Sequence, residues 1–186
     1  MLKRISKTVL RIFGWSVHVD VPDYPKAVIC VAPHTSNWDF LLGELAITSV
    51  GRKAGFLMKR TWFFWPLGPF FRSIGGIPVD QKKSTSLTNQ LIDRFNSAQK
   101  LTIAITPEGT RSRTTRWRTG FLRVSCEANV PLCLASIDFP TKTITLAHTF
   151  RPSGDIDSDL RRIKDFYKPF TGKYPDKFTT DDDHIE

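Results

Sequence analysis

Ala27-Val28-Ile29-Cys30-Val31-Ala32-Pro33-His34-Thr35-Ser36-Asn37-Trp38-Asp39 is the stretch whose reading decides the fold. Six apolar residues closed by a proline predict a buried strand over 27–32. Downstream, Phe40, Leu41, Leu42, Leu45, Ala46 and Ile47 recur at helical spacing, which predicts a helix over 38–50 and places His34 in the turn between. Inside one helix, His34 and Asp39 would stand roughly 140° apart. They meet only if the histidine lies just ahead of the helix and the acid in its first turn. The carboxylate then holds one imidazole nitrogen while the other faces outward, which is the base and the orienting group of a proton-transfer site. The same pairing is also an ordinary way to cap a helix, so a second motif has to decide between the two.

That motif follows another predicted strand, Leu101–Ile105, and reads Thr106-Pro107-Glu108-Gly109-Thr110-Arg111-Ser112-Arg113. A glycine turn at a strand's carboxyl end, set among hydroxyls and guanidinium groups, suits the grip of an anionic group such as phosphate. Arg116, Arg118 and Arg123 extend the basic surface.

The remaining segments continue an α/β rhythm. Strands are predicted over 15–21, 54–58, 131–137 and 141–150, and helices over 84–98 and about 119–128. A C-terminal helix carries Leu160, Ile163, Phe166 and Tyr167. Between 59 and 72 six aromatic residues are broken by Pro66 and Pro69 and bracketed by Lys59, Arg60 and Arg72. The prolines and the short length exclude a spanning helix, and tryptophan beside lysine and arginine is the mixture favoured at lipid headgroup depth; a buried aromatic core segment is the other reading. Gly75-Gly76 permits either a positive φ or close approach of a ligand.

The first thirteen residues place Leu2, Ile5, Val9, Leu10, Ile12 and Phe13 on one side of a helical wheel and Lys3, Arg4, Lys7 and Arg11 on the other. The segment is too charged for a signal peptide and too short to cross a bilayer, so it reads either as an interfacial helix or as a helix packed on its own domain.

A chain of 186 residues without repeats or linkers is expected to form a single domain. Its boundaries read as an interfacial helix over 1–14, the main domain over 15–175 and an acidic, disordered tail over 176–186. The net charge of +9 divides into +11 over residues 1–150 and −2 over 151–186. Something anionic is therefore expected against the first part, and charge alone does not choose between a membrane surface and nucleic acid. No recognised nucleic-acid motif is present. Cys30, Cys126 and Cys133 lack a CxxC pair and lie in apolar stretches, so they are expected to be buried reduced thiols; the scattered histidines give no metal site.

With His34-x4-Asp39 and Pro107-Glu108-Gly109-Thr110-Arg111-Ser112 in this order, the chain resembles the glycerolipid acyltransferase family typified by lysophosphatidate (1-acylglycerol-3-phosphate) acyltransferases. Gly75-Gly76-Ile77-Pro78-Val79-Asp80 looks like that family's second block, and Val130-Pro131-Leu132 occupies the place of the fourth, so the resemblance spans about 27–137. It implies a single α/β domain with a mixed, mostly parallel sheet flanked by helices. It also implies an enzyme that moves an acyl group from an acyl-CoA or acyl carrier protein thioester to the hydroxyl of a lysolipid, without metal, cofactor or acyl-enzyme. His34 would be the general base, Asp39 its orienter, and Glu108, Gly109, Thr110 and Arg111 the acceptor-binding block. The setting implied is peripheral, against anionic lipid at the cytoplasmic face. Two departures stand out: Gln81, then Lys82 and Lys83, where the family usually has an arginine, and Leu132-Cys133-Leu134 where a second proline is usual. The first leaves a non-phosphoglycerol acceptor such as a lyso-aminolipid open. The rival from another class is a non-catalytic basic protein binding anionic lipid or nucleic acid, and thioester hydrolysis is a third reading.

Overall fold

A computed structural model describes residues 1–79 and 86–181. Seven strands form one sheet in the order β1-β7-β6-β2-β5-β3-β4. They are β1 (Ser16–Val19), β2 (Lys26–Ala32), β3 (Gly55–Lys59), β4 (Gly76–Val79), β5 (Leu101–Ile105), β6 (Leu132–Asp138) and β7 (Thr143–Phe150). Every neighbouring pair is parallel except β6 and β7, which form an antiparallel hairpin. The helices are α1 (Leu2–Ile12), α2 (Asn37–Ser49), α3 (Leu67–Ser73), α4 (Leu87–Ser97), α5 (Gly120–Glu127) and α6 (Ile156–Tyr167). The single α/β domain with a mixed, mostly parallel sheet is therefore as expected.

β2 is central, with β5 on one side and β6 on the other. Both its faces are covered, which is why its sequence is continuously apolar rather than alternating. On one face Val28, Cys30 and Ala32 join Leu91 and Phe95 of α4, Leu122 of α5, and Ile163 and Tyr167 of α6. On the other, Ala27 and Ile29 pack with Ala135 and Leu146. Next to them Leu10 of α1 meets Leu42 and Ala46 of α2 over Ile137 and Ile144. The parallel pairing of β2 with β5, in which Cys30 lies opposite Ile105, brings the segments that follow both strands to the same edge of the sheet.

Two elements escape a sequence pattern. β4 reads Gly-Ile-Pro-Val, and a four-residue strand with a glycine and a proline is tolerated only at a sheet edge, where β4 lies. α3 opens just after Pro66 and carries Pro69 in its first turn, the one place where the missing N–H costs nothing. The aromatic run is thereby divided: Phe63 and Phe71 pack edge to face at 6.0 Å, while Trp62, Phe64, Trp65 and Phe70 are exposed, Trp65 to 85%.

α1 uses Ser6 and Leu10 to pack on the domain and leaves Leu2, Ile5, Ile12 and Phe13 exposed, so most of its apolar side is turned to the outside. Cys30 and Cys133 are buried thiols, but Cys126 is exposed. It falls on the outward side of α5, whose inward side is set by Phe121, Leu122, Val124 and Ser125. The described part of the acidic tail, up to Asp181, packs back on the domain: Thr179 is buried and its carbonyl accepts the Trp117 indole N–H at 3.3 Å. Asp182 and Asp183, like Asp80, Gln81, Lys82 and Lys83, lie outside the described residues. Among the described residues no helix is long and apolar enough to cross a membrane.

Phe95, 1% exposed, wedges α4 against the sheet. Phe95→Ala is expected to cost roughly 3–5 kcal/mol, read as a lowered urea midpoint at unchanged slope; a cost below about 1 kcal/mol contradicts its place in the core.

Candidate active site

The turn after β2 presents His34, and α2 begins three residues later. Ser36 is the N-cap of α2, and Asp39, in the helix's first turn, completes a capping box with it. Asp39 Oδ2 accepts the main-chain N–H groups of Thr35 and Ser36, each at 2.7 Å, and Oδ1 accepts the Ser36 hydroxyl at 2.9 Å. Those bonds lock the carboxylate, and Oδ2 then stands 3.3 Å from His34 Nδ1. Burial pulls the Asp39 carboxyl upward, but the bonds from His34, Ser36 and Thr35 outweigh it and hold it below the usual range. Asp39 is thus an anion aimed at one nitrogen of the ring, and Nε2 is left for the cavity that His34 lines.

Glu108 sits behind the histidine. Its Oε1 accepts the His34 main-chain N–H at 2.8 Å, joining the segments after β2 and β5. Its Oε2 is buried without a hydrogen-bond partner among the described residues. Burial pushes this carboxyl up to about 7, against the lowering effect of its hydrogen bonds.

The next residue, Gly109, has φ +65, the left-handed region where a side chain is strained, and its N–H bonds back to Thr106 O at 3.2 Å. Thr110 is turned away, its hydroxyl accepting Ser112 N–H at 3.2 Å. Arg111 reaches back to the cavity.

A cavity of about 870 Å³ runs from this edge along α2 and under α4 and α5. His34, Asp39, Gly109 and Arg111 line it, whereas Glu108 and Thr110 do not. Phe40, Gly43, Ile47 and Val50 of α2 and Leu91, Phe95, Phe121 and Val124 make the rest largely apolar, with Glu44 among them. Burial pushes the Glu44 carboxyl up to about 7.

Two features were not signalled by the motifs. Arg118 lines the cavity beside Gly109, because its main-chain N–H bonds to Pro107 O at 2.7 Å, a contact no local pattern encodes. The C-terminal segment also reaches the turn, where Tyr174 N–H bonds to Thr35 Oγ1 at 3.2 Å. Among the described residues no cluster of His, Cys, Asp or Glu is placed to hold a metal ion.

An imidazole 3.3 Å from a buried carboxylate, a glycine turn and Arg111 thus line one largely apolar cavity. Residues 17–138 match the family described as Acyltransferase, and the chain belongs to that family. Among solved structures it is similar to the 1-acyl-sn-glycerophosphate (LPA) acyltransferase PlsC from Thermotoga maritima, with a TM-score of 0.62 and 17% identity over 90% of this chain and 76% of that one. At that identity the likeness is one of fold. No curated protein matches.

The two raised carboxyls set a pH dependence. Between about pH 4.5 and 7 the folded protein keeps protons on Glu108 and Glu44 that the unfolded chain releases, so their share of stability is full in acid and is lost as pH rises through about 7. Asp39 works oppositely, its share being present above the ordinary carboxylate range and lost as pH falls through its lowered value. Glu108→Gln retains the acceptor for His34 N–H and removes the ionisation. Urea unfolding across this window should show a shallower fall for the variant, with a difference of up to about 3 kcal/mol by pH 7; parallel curves count against the buried, proton-retaining carboxyl.

Proposed function

We propose that the protein is an O-acyltransferase that moves a fatty acyl group from an acyl-CoA or acyl carrier protein thioester to the hydroxyl of a lysolipid, lysophosphatidate-like, at the cytoplasmic face of a membrane. The observation that carries this reading is the His34 ring, held by Asp39 at 3.3 Å, lining a largely apolar cavity of about 870 Å³ that Arg111 also lines.

His34 Nε2 takes the proton of the acceptor hydroxyl as its oxygen bonds to the thioester carbonyl carbon. The tetrahedral intermediate collapses with loss of the C–S bond, and the departing thiolate takes the proton from the imidazolium. No covalent enzyme intermediate is required, because the thioester already has a good leaving group. Asp39 holds the ring and balances its transient positive charge. Glu108 positions the histidine by holding its main-chain nitrogen, and Gly109 and Arg111 face the acceptor's anionic headgroup. The apolar cavity takes the acyl chain and keeps water from the thioester.

Membrane attachment is supported by two surfaces. α1 turns Leu2, Ile5, Ile12 and Phe13 outward beside Lys3, Arg4, Lys7 and Arg11, the mixture that seats a helix at an anionic lipid surface. Trp62, Phe64, Trp65 and Phe70, with Lys59, Arg60 and Arg72, make the second.

Purified protein given acyl-CoA or acyl carrier protein donors and a panel of lysolipids tests the chemistry. His34→Ala should lower kcat/KM by about 10²–10⁴-fold; wild-type turnover in that variant removes the proposed base, and free fatty acid whose yield does not decline as lysolipid is added means that water is the acceptor. For attachment, the double variant Ile5→Glu/Ile12→Glu should leave anionic vesicles at high salt while wild type stays bound. Complete salt release of wild type, with tight oligonucleotide binding, would favour a nucleic-acid partner.

A further inference from the structure

We infer that Glu44 of α2 selects among acyl donors by hydrogen bonding to a hydroxyl group carried partway along the acyl chain; this rests on the reading of the cavity as the site of that chain. Phe40, Gly43, Glu44 and Ile47 recur at helical spacing and share the face of α2 that lines the cavity. The others suit a hydrocarbon, whereas Glu44 is an acid. The transfer chemistry gives it no task, since it lies five residues after Asp39, about 7.5 Å further along the helix axis and away from the turn that holds His34. Its carboxyl makes no hydrogen bond or ion pair among the described residues. Only burial acts on it, pushing it up to about 7.

A carboxyl in such a wall needs a partner once the cavity is filled. A plain hydrocarbon cuts it off from solvent and offers it nothing, which penalises binding. The proton that burial retains makes the group donor and acceptor at once, and an aliphatic hydroxyl has the same two capacities, so each satisfies the other. A charged substituent fits less well, because the apolar wall around it cannot solvate the charge. Position decides against a stop for chain length: the lining continues past Glu44 to Ile47 and Val50, so the acid stands beside the chain rather than at its end. Gly43 supplies the room. A Cβ there would meet nothing within 4 Å, and its φ is not positive, so no backbone requirement calls for a glycine inside α2, where it weakens the helix relative to alanine. The space it leaves next to the acid is what a hydroxyl branching from the chain needs.

Full-length wild type, Glu44→Leu and Glu44→Gln are compared with acyl-CoA donors of one chain length, plain or bearing a single hydroxyl at successive positions, and with lysophosphatidate as acceptor. Wild type should favour donors hydroxylated at one place along the chain, with kcat/KM about tenfold or more above that of the plain chain. Glu44→Leu should invert that ratio, and Glu44→Gln, which still donates and accepts, should keep part of it. An active wild type that uses plain and hydroxylated donors equally, or prefers the plain chain over every isomer, overturns the assignment and leaves the acyltransferase reading standing. A Glu44→Leu variant that keeps the wild-type ratio does the same, and if it also accepts longer plain chains the acid is a length stop. Displacement of a fluorescent fatty acid by stearate and its monohydroxy isomers reads the cavity without turnover: wild type should bind one isomer about tenfold tighter than stearate, and Glu44→Leu should prefer stearate. That pattern in a protein that acylates nothing supports the hydroxyl site and removes the transferase reading, whereas equal binding, or none, by wild type removes the site.

Discussion

One hydrogen bond, 2.8 Å from the main-chain nitrogen of His34 to Oε1 of Glu108, ties the segment after β2 to the segment after β5. Parallel pairing of the two strands brings their carboxyl ends together, but it leaves the loops beyond them free to part. The buried carboxyl closes that gap and ties the histidine turn to the turn of Gly109 and Arg111, which line the same cavity as His34. Its location is costly, because Glu108 leaves one oxygen unanswered in the interior and holds its proton far above the ordinary range. An apolar residue would fill the space more cheaply but would offer no acceptor to the His34 amide.

The same economy governs Asp39. Its four contacts begin a helix and aim a ring at once: two main-chain N–H groups and a hydroxyl fix the carboxylate before it meets His34. Helix capping and imidazole orientation are therefore one arrangement rather than competing explanations. The spacing of four intervening residues follows from it, since the N-cap Ser36 lies two residues after the histidine and the acid takes the third position of the helix.

Much of this was legible in the sequence because it is local or periodic. The unbroken apolar run of β2 follows from cover on both faces, and the meeting of His34 with Asp39 follows from placing the histidine in the turn ahead of the helix and the acid in its first turn. β4 and α3 were not legible, because each uses proline and glycine in a permitted but uninformative position. At the site, the motifs contained His34, Asp39, Gly109 and Arg111, which line one cavity. They did not show that Glu108 turns inward to the histidine's backbone, that Thr110 turns to its own loop, or that Arg118 returns through Pro107. Those depend on which strands are neighbours and on a few long-range bonds that no pattern along the chain encodes.

The packing of α1 also has a geometric side. Leu10 is inserted beside Leu42 and Ala46 of α2, and α2 begins at the very residues that hold the histidine. The helix whose apolar side faces outward and the helix whose first turn contains Asp39 therefore share one patch of core over β6 and β7, so the outward side of α1 is set in orientation by the same residues that seat α2.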